Sequence, residues 1–145
     1  MDFMSALKIS ASGLSAQRLR MNVISGNLAN VNTTRTIEGG PYRRRDVVFA
    51  AAPVLSTFRD TLNSEIADKS LGVKVVDIVK DKRDPRLVYD PNHPDANKLG
   101  YVALPNINVI EEMVNMLSAT RSYEANVTAI NASKSMALRA LEIGR

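Results

Sequence analysis

The C-terminal third of the chain carries the apolar pattern that most limits its fold. Across residues 107–143, mostly apolar side chains recur at alternating steps of four and three residues. The positions of this stripe are Val109, Met113, Met116, Thr120, Tyr123, Val127, Ile130, Lys134, Ala137 and Leu141. Such spacing predicts one long amphipathic helix with a coiled-coil-like seam. Asn108 is the expected N-cap, since it follows Pro105 and precedes the stripe.

The length of this helix predicts that the chain assembles. A helix over residues 107–143 spans 37 residues and runs about 55 Å at about 1.5 Å per residue. A compact domain of 145 residues has a radius of gyration of about 15 Å and a diameter of only about 35–40 Å. The chain cannot cover the helix by itself, so the remaining apolar surface needs partners.

A second stripe lies near the N-terminus, over residues 4–31. Leu7, Leu14, Met21 and Leu28 recur every seven residues, with Ile24 between the last two. Serine, glycine and asparagine interrupt the stripe and weaken its intrinsic helicity. We therefore expect a helix that is marginal alone and pairs with the C-terminal helix. Its asparagines and serines either set the register of the pair or face solvent, and the pattern does not distinguish the two.

The segment between the helices has a different composition. It holds five of the six prolines and several β-prone runs. Strands are predicted over residues 46–49, 73–79, 86–89 and 100–104. For residues 54–68 the pattern predicts a short helix almost as well as a strand, and both interpretations stay open. The predicted fold is mainly α with a small β insert. It has an N-terminal helical segment 1–34, a β-rich insert 35–104 with flexible loops, and a C-terminal helical segment 105–145.

Composition argues against an enzyme and against cofactor or metal sites. The chain has no cysteine and one histidine, His93, which removes thiolate chemistry and zinc-finger ligation. The run 90–95 offers Asp, Asn and His side chains but fits no metal-ligand spacing, so a structural loop is the better interpretation. Glu111 and Glu112 are adjacent and point about 100° apart on a helix. We interpret them as capping and solvated residues.

The charge distribution leaves one rival function open. The net charge is +4, and the only dense basic cluster is Arg43, Arg44 and Arg45, directly followed by Asp46. This cluster is either a solvated loop or the anion-binding patch of a nucleic-acid-binding module. Three Phe and four Tyr are too few for a platform of stacked bases. No apolar run approaches the about 18 residues of a transmembrane helix.

Two motifs resemble a known family. Residues 10–17 (SASGLSAQ) and 22–33 (NVISGNLANVNT) closely resemble the N-terminal signature of bacterial flagellar rod, hook and hook-associated proteins. Further runs are similar to the C-type proximal-rod branch, namely residues 33–45, 90–95, 100–108, 111–116, 121–126 and 140–145. Thr34, Arg35 and Thr36 stand where many hook and distal-rod relatives have a Gly-Tyr or Gly-Phe pair, which also favours the C-type branch.

The resemblance implies a structural subunit rather than an enzyme. Such a subunit is exported by the flagellar type III apparatus and joins the periplasmic rod of the basal body, where helical tubes transmit torque. The implied partners are copies of itself, other rod subunits, and the membrane-ring and rod-adaptor proteins, with no nucleic acid, cofactor or small-molecule substrate. Assembly contacts are expected at Leu7, Leu14, Met21, Ile24, Leu28, Val109, Met113, Met116, Tyr123, Val127, Ile130 and Leu141. Arg43, Arg44 and Arg45 are expected to make outer contacts.

Overall fold

The chain forms two long terminal helices with small antiparallel sheets between them, as the coarse prediction states. The computed structural model describes residues 3–53 and 71–143. In chain order the elements are α1 (Phe3–Ala29), β1 (Arg45–Pro53), β2 (Leu71–Lys80), β3 (Arg86–Tyr89), β4 (Tyr101–Leu104) and α2 (Val109–Ile143). The undecided helix or strand over residues 54–68 falls outside the described residues.

The two helices lie antiparallel against each other. Near the end of α1, Asn27 bonds to Glu112 in the first turn of α2. Further along, the Thr120 hydroxyl lies 3.6 Å from the sulfur of Met21. At 35 residues, α2 is about 52 Å long, whereas the 27 residues of α1 cover about 40 Å. Continuing the pairing places Phe3 near residue 137, so the last turns of α2 extend beyond α1.

Gly13 permits a close approach of the helices. A Cβ atom at Gly13 would lie 3.1 Å from both Nδ2 and Oδ1 of Asn126, which is tighter than ordinary packing. Asn126 is held there because its amide donates to the Ser122 carbonyl at 2.9 Å. A glycine inside a helix costs about 1 kcal/mol relative to alanine. The close contact with α2 explains why α1 tolerates that cost.

The first sheet is an antiparallel pair of β1 and β2 that packs on α1. Its register runs from Arg45 opposite Lys80 to Pro53 opposite Leu71, with a bulge beside Val48 and Phe49. Val47 is the buried apolar side chain of β1. The hydroxyl of Ser12 on α1 accepts a hydrogen bond from the Val73 backbone N–H at 3.0 Å, which ties the strand to the helix.

The second sheet pairs β3 with β4 and closes through a hydrogen-bonded loop. Tyr89 and Tyr101 meet edge to face, with ring centroids 5.3 Å apart. Gly100 has φ +80°, and a Cβ there would come 2.8 Å from the Tyr89 ring. In the loop, the Asp90 carboxylate accepts from the Asn92 N–H and the His93 imidazole accepts from the Asp95 N–H. These side chains bond the backbone of their own loop, which is the structural interpretation drawn from the sequence.

The apolar core of the described residues is small. Its buried apolar side chains are Ala16, Ile24, Val47, Val102 and Ala119. A core this small leaves much apolar surface of α2 uncovered.

The start of α2 is capped as expected, because the Asn108 side chain accepts from the Ile110 N–H at 3.0 Å. Neither long helix is apolar enough over its described length to cross a membrane.

Candidate functional site

A buried asparagine joins three parts of the chain. Asn27 is fully buried near the end of α1. Its amide nitrogen donates to the Arg45 carbonyl at 2.8 Å and to the Glu112 carboxylate at 2.9 Å. Its oxygen accepts from the Arg45 N–H at 2.9 Å and from the Tyr42 hydroxyl at 3.2 Å. The side chain therefore uses both donors and both acceptor positions, and it links α1, the entry to β1 and α2.

Glu112 completes this polar junction, which consists of Asn27, Tyr42, Arg44, Arg45 and Glu112. It is only 1% exposed, so the interpretation of Glu112 as a solvated residue is wrong. Its second oxygen accepts from Arg44 Nε at 2.8 Å. The physical reason for its burial is that the guanidinium and the Asn27 amide together replace the water that the carboxylate loses.

Arg44 remains a cation inside the junction. Burial lowers its pKa, but the hydrogen bond and charge of Glu112, aided by Asp46, outweigh burial and raise the pKa above its ordinary value. The Asp46 carboxylate lies 3.2 Å from Arg44 Nη1. The junction thus combines a neutral amide with a charge-assisted pair, and such bonds are the stronger class of protein hydrogen bond.

The three arginines do not form one anion patch. Arg44 belongs to the junction, whereas Arg43 Nη1 donates to the Asp81 carbonyl at 3.3 Å. The Arg45 guanidinium lies over the Tyr42 ring, 5.6 Å from its centroid. Each of the three guanidinium groups therefore has a different partner. Nothing in this arrangement favours the nucleic-acid-binding alternative.

An uncovered apolar face occupies the first turns of α2. Ile110, Met113, Val114 and Leu117 are 73%, 60%, 61% and 54% exposed. They border an open groove of about 660 Å³ that Leu28, Met116 and Thr120 also line. We call these four residues the apolar face. The same side of α2 turns polar further along, where residues 121, 124 and 128 are Arg, Glu and Thr, so the apolar face is a local feature.

The predicted assembly residues fall into two groups. Ile24 is buried, and a larger set is half-buried on the facing sides of the helices: Leu7, Leu14, Met21, Leu28, Met116, Tyr123, Val127 and Ile130. Val109, Met113 and Leu141 are exposed. The predicted seam therefore differs at its start, because the junction turns Glu112, rather than Val109 and Met113, toward α1. Exposure on the single chain leaves those three residues free for other contacts.

Sequence reasoning missed the partners of the junction. Glu112 lies four residues before Met116, and Ala119 lies three residues after it, so Glu112 continues the buried side of α2. A carboxylate at such a position signals a buried partner. The sequence did not indicate which of the 19 basic residues supplies it.

Among the described residues no group of three or more His, Asp or Glu side chains could hold a metal ion.

Two protein families match the regions of the two terminal helices. The family described as flagellar basal body rod FlgEFG protein C-terminal matches residues 98–143. The family described as flagella basal body rod protein matches residues 7–35. These regions hold α2 and most of α1.

Full-length relatives bear one shared name. The flagellar basal-body rod protein FlgC of Borreliella burgdorferi is 48% identical, over 99% of this chain and 98% of the relative. That of Bacillus subtilis strain 168 is 50% identical over 97% of each. That of Escherichia coli O157:H7 is 41% identical over 100% of each. The chain belongs to the FlgC family of flagellar basal-body rod proteins and is a structural subunit of the basal-body rod, not an enzyme.

Proposed function

We propose that the terminal segments 1–34 and 105–145 build the axial layer of the proximal rod and that the insert 35–104 lies outside it. The observation that carries this proposal is the apolar face on α2, since exposed contiguous apolar surface marks an interaction site. Further exposed apolar residues, Met136, Leu138, Leu141 and Ile143, lie at the other end of the helix. One chain thus offers apolar contacts at both ends of a single long helix.

Contacts of this kind can repeat from one subunit to the next along an assembly of any length. When the surface at one end of a subunit meets a different surface on the next, the contact is heterologous and generates a helical tube if the rotation does not close a ring. The half-buried stripes of α1 and α2 form the coiled-coil-like pair inside each subunit, and Met113, Val109 and Leu141 reach neighbouring subunits. Other rod subunits and further copies of this chain are the occupants that fit the proposal.

The junction suits a part that carries torque. Close-packed interiors are stiff, and the Asn27 and Glu112 bonds tie both helices to the start of β1. Torque on the insert therefore passes to the axial helices without a flexible joint at this point. Arg43 and Arg45 have exposed surface and serve as outer contacts, whereas Arg44 supports them from within the junction.

Export and location follow from the family together with the composition. A chain without cysteine forms no disulfide that would resist unfolding, and the serine, glycine and asparagine residues of α1 make that helix marginal alone. Such a chain passes unfolded through the type III apparatus, and then folds and assembles in the periplasm. Membrane-ring and rod-adaptor proteins are the proposed contacts at the ends of the rod.

Sedimentation and circular dichroism test the assembly proposal. The full chain is examined from about 5 to about 200 μM, alone and with a second rod subunit of the same organism, because association is concentration-dependent. We expect sedimenting mass and helix content to rise together. A monomer of constant helicity under every condition would overturn the proposal. The Leu117→Asp variant serves as the matched control and should stay monomeric over the same range.

A further inference from the structure

A cationic cleft lies on the insert, away from the apolar face. It has a volume of about 480 Å³ and is lined by the loop after α1, the start of β1 and the end of β2. Arg35, Arg43, Arg45 and Lys80 contribute four positive charges to its lining, and Glu38 contributes one negative charge. The excess is three positive charges. Concave surfaces of one sign concentrate field and attract the opposite charge.

Three of the cations already have partners, and one of these is Arg43, whose Nη1 donates to the Asp81 carbonyl at 3.3 Å. Lys80 Nζ lies 2.6 Å from the Glu38 carboxylate. The hydrogen bond from Lys80, followed by its charge, lowers the pKa of Glu38. The Arg45 guanidinium rests over the Tyr42 ring. In the described part of the chain, the Arg35 guanidinium has no hydrogen-bonding or ionic partner. It stands at the cleft as a free, planar donor suited to a carboxylate.

The loop that forms one wall is closed by backbone hydrogen bonds and presents an apolar tip. Its base is closed by a bond from the Tyr42 N–H to the Thr33 carbonyl, and its turn by a bond from the Thr36 N–H to the Gly40 carbonyl. Gly39 and Gly40 have φ +86° and +75°, a left-handed conformation that L side chains rarely adopt. In this turn the Ile37 side chain is fully exposed to solvent. A fully exposed isoleucine on a fixed loop is a ready anchor for an apolar residue of a partner.

We propose that this cleft binds a carboxylate-rich protein segment that carries an apolar residue beside its acidic ones. Arg35 pairs with a carboxylate of the segment, Arg43 and Arg45 supply the surrounding positive field, and Ile37 packs against the apolar residue. The inference names the partner chemistry of the outer surface and so rests on the proposed function. Its test uses the isolated full chain, so it can fail while the helix-assembly proposal stands.

Peptide binding tests this inference. Fluorescence anisotropy measures the affinity of the full chain for labelled Glu-Glu-Leu-Glu-Glu, for Glu-Glu-Ser-Glu-Glu and for Lys-Lys-Leu-Lys-Lys. We expect the acidic leucine peptide to bind most tightly and the basic peptide not to bind. Affinity should fall as NaCl is raised from about 50 to about 200 mM, since salt screens exposed charges. Absence of binding by both acidic peptides would overturn the inference.

Matched variants locate the binding. Arg35→Glu reverses a charge without removing any internal bond. We expect this substitution to lower the affinity of the chain for the acidic leucine peptide about tenfold. Lys98→Glu makes the same reversal at an exposed lysine that does not line the cleft and should leave affinity unchanged. Ile37→Ser should remove the preference for leucine over serine. Equal losses from Arg35→Glu and Lys98→Glu would contradict the assignment to this cleft.

A nucleic-acid duplex provides the remaining comparison. Duplex DNA that binds more tightly than the acidic peptides, and that loses its affinity in Arg35→Glu, would replace the acidic protein segment as the occupant and overturn the inference. Weak DNA binding that Arg35→Glu does not change would support it. Circular dichroism spectra of each variant that match the wild type establish that the fold is retained.

Discussion

Replacing Asn27 with alanine should destabilise the folded chain by about 3–4 kcal/mol, because burying polar groups without partners is among the costliest changes a substitution makes. The variant removes one hydrogen bond each from the Glu112 carboxylate and the Tyr42 hydroxyl and two from the backbone of Arg45. It leaves the buried Glu112 carboxylate with its bond to Arg44. Urea unfolding of the full chain, followed by circular dichroism, measures the difference. The midpoint should fall without a change in the denaturant slope.

The control for this prediction is Asn22→Ala on the same helix. Asn22 is exposed, so the same substitution removes a solvated amide and should change stability by less than about 0.5 kcal/mol. Alanine is the better helix former, which favours a small gain. Similar losses in the two variants would show that the junction contributes nothing beyond helix propensity.

The Leu117→Asp variant should abolish swimming while the protein is still made and still folds. Leu117 is more than half exposed in the single chain, so an aspartate there is tolerated by the monomer. In an assembled rod the same side chain would be a buried, unpaired carboxylate, which costs several kcal/mol. A loss of that size weakens association at least about 100-fold. Swimming-plate diameter and immunoblots of the cells measure the two effects.

Asn131→Asp controls for the introduction of a charge on the same helix side. Position 131 lies 14 residues beyond position 117, which is about four helical turns and returns to nearly the same side of α2. Asn131 is exposed and lies in the polar stretch beyond the apolar face. This variant should swim nearly normally. Loss of swimming in both variants, or in neither, would contradict a local role of the apolar face.

The regular elements could be predicted from the sequence because periodicity reports them directly. The stripe over residues 107–143 predicted α2 to within two residues at its start. The β-prone run 73–79 lies inside β2 (Leu71–Lys80). The argument that α2 is too long for its own chain to cover also anticipated the exposed Leu141 beyond the end of α1. These inferences depend only on neighbouring residues along one element.

The junction could not be predicted, because it depends on contacts between residues far apart in the chain. Asn27 and Glu112 are 85 positions apart, and Arg44 and Glu112 are 68 apart. Local pattern indicated a polar residue at each place but not which residues meet. The sequence left two interpretations of the asparagines on the helices, namely that they set the register of the helix pair or that they face solvent. For Asn27 the structure supports the first interpretation, since its amide bonds across to α2.

Chemical protection of an introduced cysteine tests the central claim most directly. The chain has no cysteine, so Leu117→Cys gives one reactive thiol in a strain checked for swimming. Maleimide should label this thiol readily in the purified monomer and only slowly in intact basal bodies. Ala119→Cys, at a position fully buried against the chain itself, should resist labelling in both. Equally rapid labelling of position 117 in monomer and basal body would contradict assembly through the apolar face.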